Sequence, residues 1–84
     1  TKSAALAFAK EGIRVNSVHP GAIETPMIVQ EDNKEIIQAW AKSLPLQRFG
    51  KPEDVSNLVV FLASDEAAYS TGSEFVIDGG VTAQ

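Results

Sequence analysis

One stretch, Ile13-Arg14-Val15-Asn16-Ser17-Val18-His19-Pro20-Gly21-Ala22-Ile23-Glu24-Thr25-Pro26-Met27, constrains the fold more than any other, because it joins two backbone habits that cannot be continued into each other. Ile13 to Val18 reads as a β-strand, with β-branched residues at Ile13, Val15 and Val18. It is expected to break at His19-Pro20-Gly21, where Pro20 has no N–H for a sheet ladder and Gly21 tolerates unusual angles. Ala22 to Met27 then forms a loop leaving the carboxyl end of that strand. Ligands of open α/β sheets sit beyond such ends, which makes the loop a candidate site wall. On spacing alone, Thr25-Pro26 is a plain turn with φ fixed by the proline.

The strand lacks strict alternation, as when both faces of a parallel strand are covered. Asn16 and Ser17 are expected to bond neighbouring loop backbone. Upstream, Thr1 to Lys10 is rich in helix formers, and Gly12 offers a stop. Leu6 and Phe8 share no narrow stripe, so this helix is expected to be covered on more than one side. A second helix is expected from Asn33 to Leu44, capped by Asp32 or Asn33, with Ile36, Ile37, Trp40, Ala41 and Leu44 at helical spacing and Pro45 as its stop. The third helix has the clearest start: Pro52 at its first position, then Glu53 and Asp54 at the positive end of the dipole. Val55, Leu58, Val59, Leu62 and Ala63 continue it at i, i+3, i+4, i+7 and i+8. Ser64 to Tyr69 reads as a further short helical turn capped by Ser64, and Glu74 to Ile77 as a second strand.

With a helix between them, the two strands are expected to lie side by side and parallel. The expected core is Leu6, Val15, Val18, Val55, Leu58, Val59, Leu62, Phe75 and Ile77. His19, the only histidine, is without a nucleophile or carboxylate at a known catalytic spacing and is read as structural. Arg48, Glu53 and Asp54 are read as a solvated helix start, and Asp78 before two glycines as an Asx turn. A single carboxylate there is far short of a metal site, and none is assigned.

A net charge of −4 speaks against a nucleic-acid or anionic-membrane footprint. No apolar run approaches the ~18 residues of a membrane span. The absence of cysteine removes disulfides and thiolate metal sites as staples for a chain of 84 residues. The cytoplasm is the default compartment, and the chain, which does not start with Met, reads as lacking an N-terminal part.

The residues also resemble a family. IRVNSVHPGAIETPM is similar to the segment after the active-site helix of short-chain dehydrogenases/reductases, and RFGKPEDVSNLVVFLASDEAAYSTGSEFVIDGG is similar to that family's closing block. The resemblance covers essentially the whole chain but only the last third of such an enzyme. The Gly-rich dinucleotide motif, the catalytic Ser and the Tyr-x-x-x-Lys pair have no counterpart here, and Lys2 lies too close to the strand to be that Lys, so no catalytic residue is assigned. The implied fold is α/β, the C-terminal part of a doubly wound Rossmann-type parallel sheet with two strands and about three helices. Residues 1–84 would be one piece of a single domain, with 28–50 as a substrate-side lid.

The resemblance further implies a cofactor-binding set of Pro20, Gly21, Ile23 and Thr25. The backbone of Ile23 would bond the nicotinamide carboxamide, and the Thr25 hydroxyl the carboxamide or a phosphate oxygen. The cofactor would be NAD(H) or NADP(H), the choice being made in a part of the family pattern outside this stretch. The reaction would be hydride transfer with a small carbonyl or secondary-alcohol substrate, in a homo-oligomer, dimer or tetramer, built partly on the segment after Pro52. The alternative is a noncatalytic α/β piece acting by association alone. An independent small-molecule binder is disfavoured, since two strands and three helices enclose little volume.

Overall fold

The computed structural model describes residues 1–24 and 33–84. Helix α1 (Lys2–Phe8) tightens into a 3-10 turn (Ala9–Glu11) and stops at Gly12, whose φ of 77° is the left-handed cap that its glycine permits. Strand β1 (Ser17–Pro20) follows, then α2 (Lys34–Ser43), α3 (Pro52–Ala63), a 3-10 turn (Asp65–Ala67), strand β2 (Glu74–Ile77) and a terminal 3-10 turn (Val81–Ala83). The strands pair in parallel, Ser17 opposite Glu74 and Pro20 opposite Ile77. The expected α/β arrangement with a helical crossover is therefore present.

The strand boundaries differ from the expected Ile13–Val18, for a reason that lies in the distant loop 70–73. The Val15 N–H donates to Thr71 Oγ1 (3.1 Å), the Gly72 N–H to the Val15 carbonyl (2.7 Å), and the Ser73 N–H to Asn16 Oδ1 (3.1 Å). Residues 14–16 are thus held by a loop, and a strand partner begins only at Ser17. Asn16 bonds loop backbone as expected, its amide also donating to the Ser70 carbonyl at 2.9 Å. The Ser17 hydroxyl instead meets His19 Nε2 at 2.8 Å.

Pro20 closes the strand rather than breaking it. Ser17 and Gly21 donate to the Ser73 and Ile77 carbonyls (both 3.0 Å), so odd-numbered N–H groups of β1 face β2. The missing N–H of Pro20 falls on the other edge, where it costs this pair nothing.

Arg14 holds the end of α3: its guanidinium donates to the carbonyls of Leu62 (2.7 Å), Ser64 (3.2 Å) and Ser70 (3.2 Å). It thereby satisfies acceptors that a helix leaves open at its last turn. At the other end, Asp54 accepts from the Lys51 N–H at 2.8 Å, an N-terminal cap supplied from the third helical position. Ser64 makes no side-chain cap; its hydroxyl donates backward to the Phe61 carbonyl at 2.6 Å.

Among the described residues, Ala5, Phe49, Leu62 and Ala67 are the buried apolar side chains, while Val15, Val18, Val55, Leu58, Phe75 and Ile77 are half-buried. Leu62 and Leu58 face inward as their spacing predicts. Leu6 (80% exposed) and Val59 (47%) do not, contrary to expectation, and Phe8 is also exposed. The apolar pattern of a helix identifies the face that can pack, but in α1 Ala5 alone is buried, beside the chain at Gly72. The radius of gyration is 16.2 Å, against about 12 Å for a compact domain of this length. The accessible surface is 6364 Å², against about 4,900 Å² for a compact protein of this mass.

Candidate cofactor-facing loop

Beyond the carboxyl end of β1, the chain is clamped from both sides. On one side, Gly21 abuts the turn after β2: a Cβ at Gly21 would lie 2.6 Å from the Cβ and 2.9 Å from the Cα of Asp78. Only a residue without a side chain lets those two turns touch. Asp78 is itself fixed, accepting from the Gly80 N–H (2.9 Å), the Thr82 N–H (3.0 Å) and the Thr82 hydroxyl (2.7 Å). The expected Asx turn is therefore present and extends to Thr82. The Thr82 hydroxyl and amide, then the Gly80 amide, hold the Asp78 carboxyl below the usual carboxylate range.

On the other side, Ile23 forms a parallel bridge with Gly50. The Gly50 N–H donates to the Ala22 carbonyl (2.9 Å), and the Glu24 N–H to the Gly50 carbonyl (2.7 Å). In a parallel bridge these flanking bonds leave the bracketed residue's own polar groups on the far edge. The N–H and C=O of Ile23 therefore point away from Gly50, carried by a segment that cannot easily twist.

The segment around Gly50 is stapled in turn. Arg48 pairs with Asp54 at 3.1 Å and donates to its neighbour's carbonyl at Phe49 (3.0 Å). The Lys51 N–H, then the Arg48 guanidinium, hold the Asp54 carboxyl below its ordinary value. Its contribution is thus complete above the ordinary carboxylate range and is lost as pH falls through the lowered value. Phe49 is buried and receives Trp40 edge-to-face, ring centroids 5.0 Å apart at 78°, which docks α2 onto this loop.

Two clefts flank the clamped loop. One of about 350 Å³ is lined by Ile23, Leu46, Arg48, Asp54, Asn57 and Asp78. The other, about 500 Å³, runs over the open sheet face past His19, Pro20, Gly21, Trp40 and Glu74. Of the four residues assigned from the sequence, Pro20, Gly21 and Ile23 lie together on one clamped turn, and Thr25 falls outside the described residues. Gly50, Asp78 and the Arg48–Asp54 pair were not singled out as site-forming by sequence reasoning. The available signals were the glycine just before the Pro52 helix start and the Asp-Gly-Gly turn. Among the described residues no group of three or more His, Cys, Asp or Glu side chains could hold a metal ion. No described helix is long and apolar enough to cross a membrane.

A family model described as enoyl-(acyl carrier protein) reductase matches residues 1–82. The chain belongs to the short-chain dehydrogenase/reductase family. Among curated members it is 55% identical over 85 residues to the 3-alpha-(or 20-beta)-hydroxysteroid dehydrogenase of Mycobacterium tuberculosis, covering 99% of this chain and 30% of that protein. It is 44% identical over 86 residues to the NADP-dependent (R)-specific alcohol dehydrogenase of Lentilactobacillus kefiri, covering 100% of this chain and 34% of that one. Among solved structures, 4-hydroxyisoleucine dehydrogenase complexed with NADH superposes over the whole chain with a TM-score of 0.88 at 41% identity, using 35% of its own length. The chain thus spans about a third of the short-chain dehydrogenase/reductase relatives it matches. Its parallel pair and helices are an α/β piece of the Rossmann-like fold of those structures.

Proposed function

We propose that these 84 residues are the C-terminal third of an NAD(P)(H)-dependent oxidoreductase that moves a hydride between the nicotinamide ring and a small carbonyl or secondary-alcohol substrate. The observation that carries this reading is the doubly clamped turn at the carboxyl end of β1, with the N–H and C=O of Ile23 directed outward. A carboxamide has one carbonyl acceptor and an NH₂ donor, so an adjacent backbone donor and acceptor can fix the ring's orientation without adding charge. The cofactor supplies the hydride chemistry. The chain's own part is to hold the amide end of the ring still and, through residues 28–50, to cover the substrate and exclude water. The relatives named above act on a hydroxysteroid, an alcohol and 4-hydroxyisoleucine by their names, which leaves the substrate class no narrower than a carbonyl or secondary alcohol.

Thr25 completes the reading as a hydroxyl bonded to the carboxamide or a phosphate oxygen. In the full-length protein, Thr25→Val keeps the shape and removes one hydrogen bond of about 0.5–1.5 kcal/mol. The dissociation constant for NADH or NADPH should then rise by about 2- to 13-fold while the melting temperature stays put. Unchanged affinity and turnover would return Thr25-Pro26 to a plain turn.

The same reading assigns the segment from Pro52 onward to a subunit contact in a dimer or tetramer. Its support is the open outer edge of β2 together with the exposure of Val59, Val60 and Val76. An uncovered apolar edge strand is a hazard that proteins tend to protect. Light scattering of the full-length protein should give a multiple of the monomer mass, and a strict monomer would sink the assignment.

A further inference from the structure

The Arg48–Asp54 pair lies on the helix start, two residues from Gly50 on one side and four on the other, yet everything it bonds to bears on one short backbone segment. Asp54 Oδ2 accepts both from Arg48 (3.1 Å) and from the Lys51 N–H (2.8 Å), and Arg48 also donates to the Phe49 carbonyl (3.0 Å). Phe49, Gly50 and Lys51 are thereby tied to the first turn of α3. Gly50 sits in the middle of that tied segment and makes both bonds that bracket Ile23.

We infer that Arg48 and Asp54 are positioning residues for the nicotinamide end of the cofactor, acting through Gly50 on the backbone of Ile23. The inference rests on the reading of Ile23 given above. An ion pair this exposed, with side chains 54% and 37% accessible, adds little to global stability. Its geometric effect is larger, because it ties residues 49–51 to the first turn of α3 and so narrows the positions open to Gly50. Loosening it lets Gly50 move relative to β1, so the Ile23 donor and acceptor lose their fixed spacing. The remainder of the dinucleotide touches neither Arg48 nor Asp54 in this scheme.

That separation supplies the test. In the full-length protein, binding of the reduced dinucleotide is compared with binding of ADP-ribose, or its 2′-phosphorylated form if NADPH is preferred, which lacks the nicotinamide. Arg48→Met and Asp54→Asn should each weaken the dinucleotide on the order of tenfold, the scale of one or two well-oriented hydrogen bonds. ADP-ribose affinity should change less than twofold, and Arg48→Lys, which keeps a cationic donor, should recover most of the loss. Asp54→Asn retains an oxygen for the Lys51 N–H, so at least one variant keeps the helix start intact. Equal weakening of both ligands, or of neither, overturns the positioning role. A wild-type protein that binds neither ligand overturns the function reading itself, and this inference with it.

Discussion

The 84-residue chain assayed alone should reduce no ketone and show no saturable NADH or NADPH binding in the micromolar range. Under the reading proposed above, these residues offer the cofactor the Ile23 turn and its neighbours, and no glycine-rich loop follows a first strand in the sequence to seat the pyrophosphate at a helix N-terminus. No tyrosine precedes a lysine by four positions; Tyr69 is followed at that spacing by Ser73. Two backbone hydrogen bonds contribute about 1–3 kcal/mol together, less than the roughly 4 kcal/mol that even millimolar binding requires. The exposed surface points the same way. Leu6, Val60, Tyr69 and Val76 are all more than half exposed, and the area exceeds that of a compact protein of this mass by roughly 1,500 Å². A two-stranded sheet is marginal without further cover. Fluorescence titration with each nucleotide and a panel of ketones is the direct measurement. Turnover above buffer would mean that a catalytic group exists within these residues.

The second large effect is expected from Gly21→Ala in the full-length protein. The new methyl would fall 2.6 Å from Asp78 Cβ and 2.9 Å from Asp78 Cα, and backbone cannot swing aside as a side-chain tip can. Either the turn after β1 or the Asp-Gly-Gly turn must shift, at about 1–3 kcal/mol as for other overpacking. Such a loss lowers the melting temperature by several degrees, and displacement of Ile23 should reduce cofactor affinity in the same variant. Gly50→Ala makes the comparison sharp. Its Cβ would meet Ile23 Cδ1 at 2.7 Å, the mobile end of a side chain, so it should be the milder substitution. If the two variants melt alike, the interlocking of the Gly21 and Asp78 turns does not limit this region.

The third helix was legible in the sequence because its signals are local: Pro52 and two acids at the start, then an uninterrupted apolar repeat. The beginning of β1 was not, because it depends on Thr71 and Ser73, more than fifty positions away, claiming Val15 and Asn16. The place of Pro20 was hidden for a related reason. Whether a proline ends a strand or sits quietly within it depends on which edge its nitrogen faces, and that is fixed by register. Leu6 and Val59 show a different limit: periodicity names the apolar face of a helix but not what will cover it. At the site, Pro20, Gly21 and Ile23 came from the family resemblance. Their partners Gly50 and Asp78 came only from the fold, since neither is near them in sequence.

The outward-facing nitrogen of Pro20 also governs what can lie along the free side of β1. A parallel neighbour there can accept from the Val18 N–H, but two residues later it meets a ring carbon instead of a donor. Pairing must lapse at that level, and the two chains are free to splay apart over the last few ångströms of the sheet. A mouth opened there would lie directly before Gly21 and Ile23. A single imino acid thus leaves the β1–β2 ladder to run on to the Gly21 N–H, yet, under the function proposed above, would part the opposite edge of the sheet where the flat nicotinamide ring has to enter.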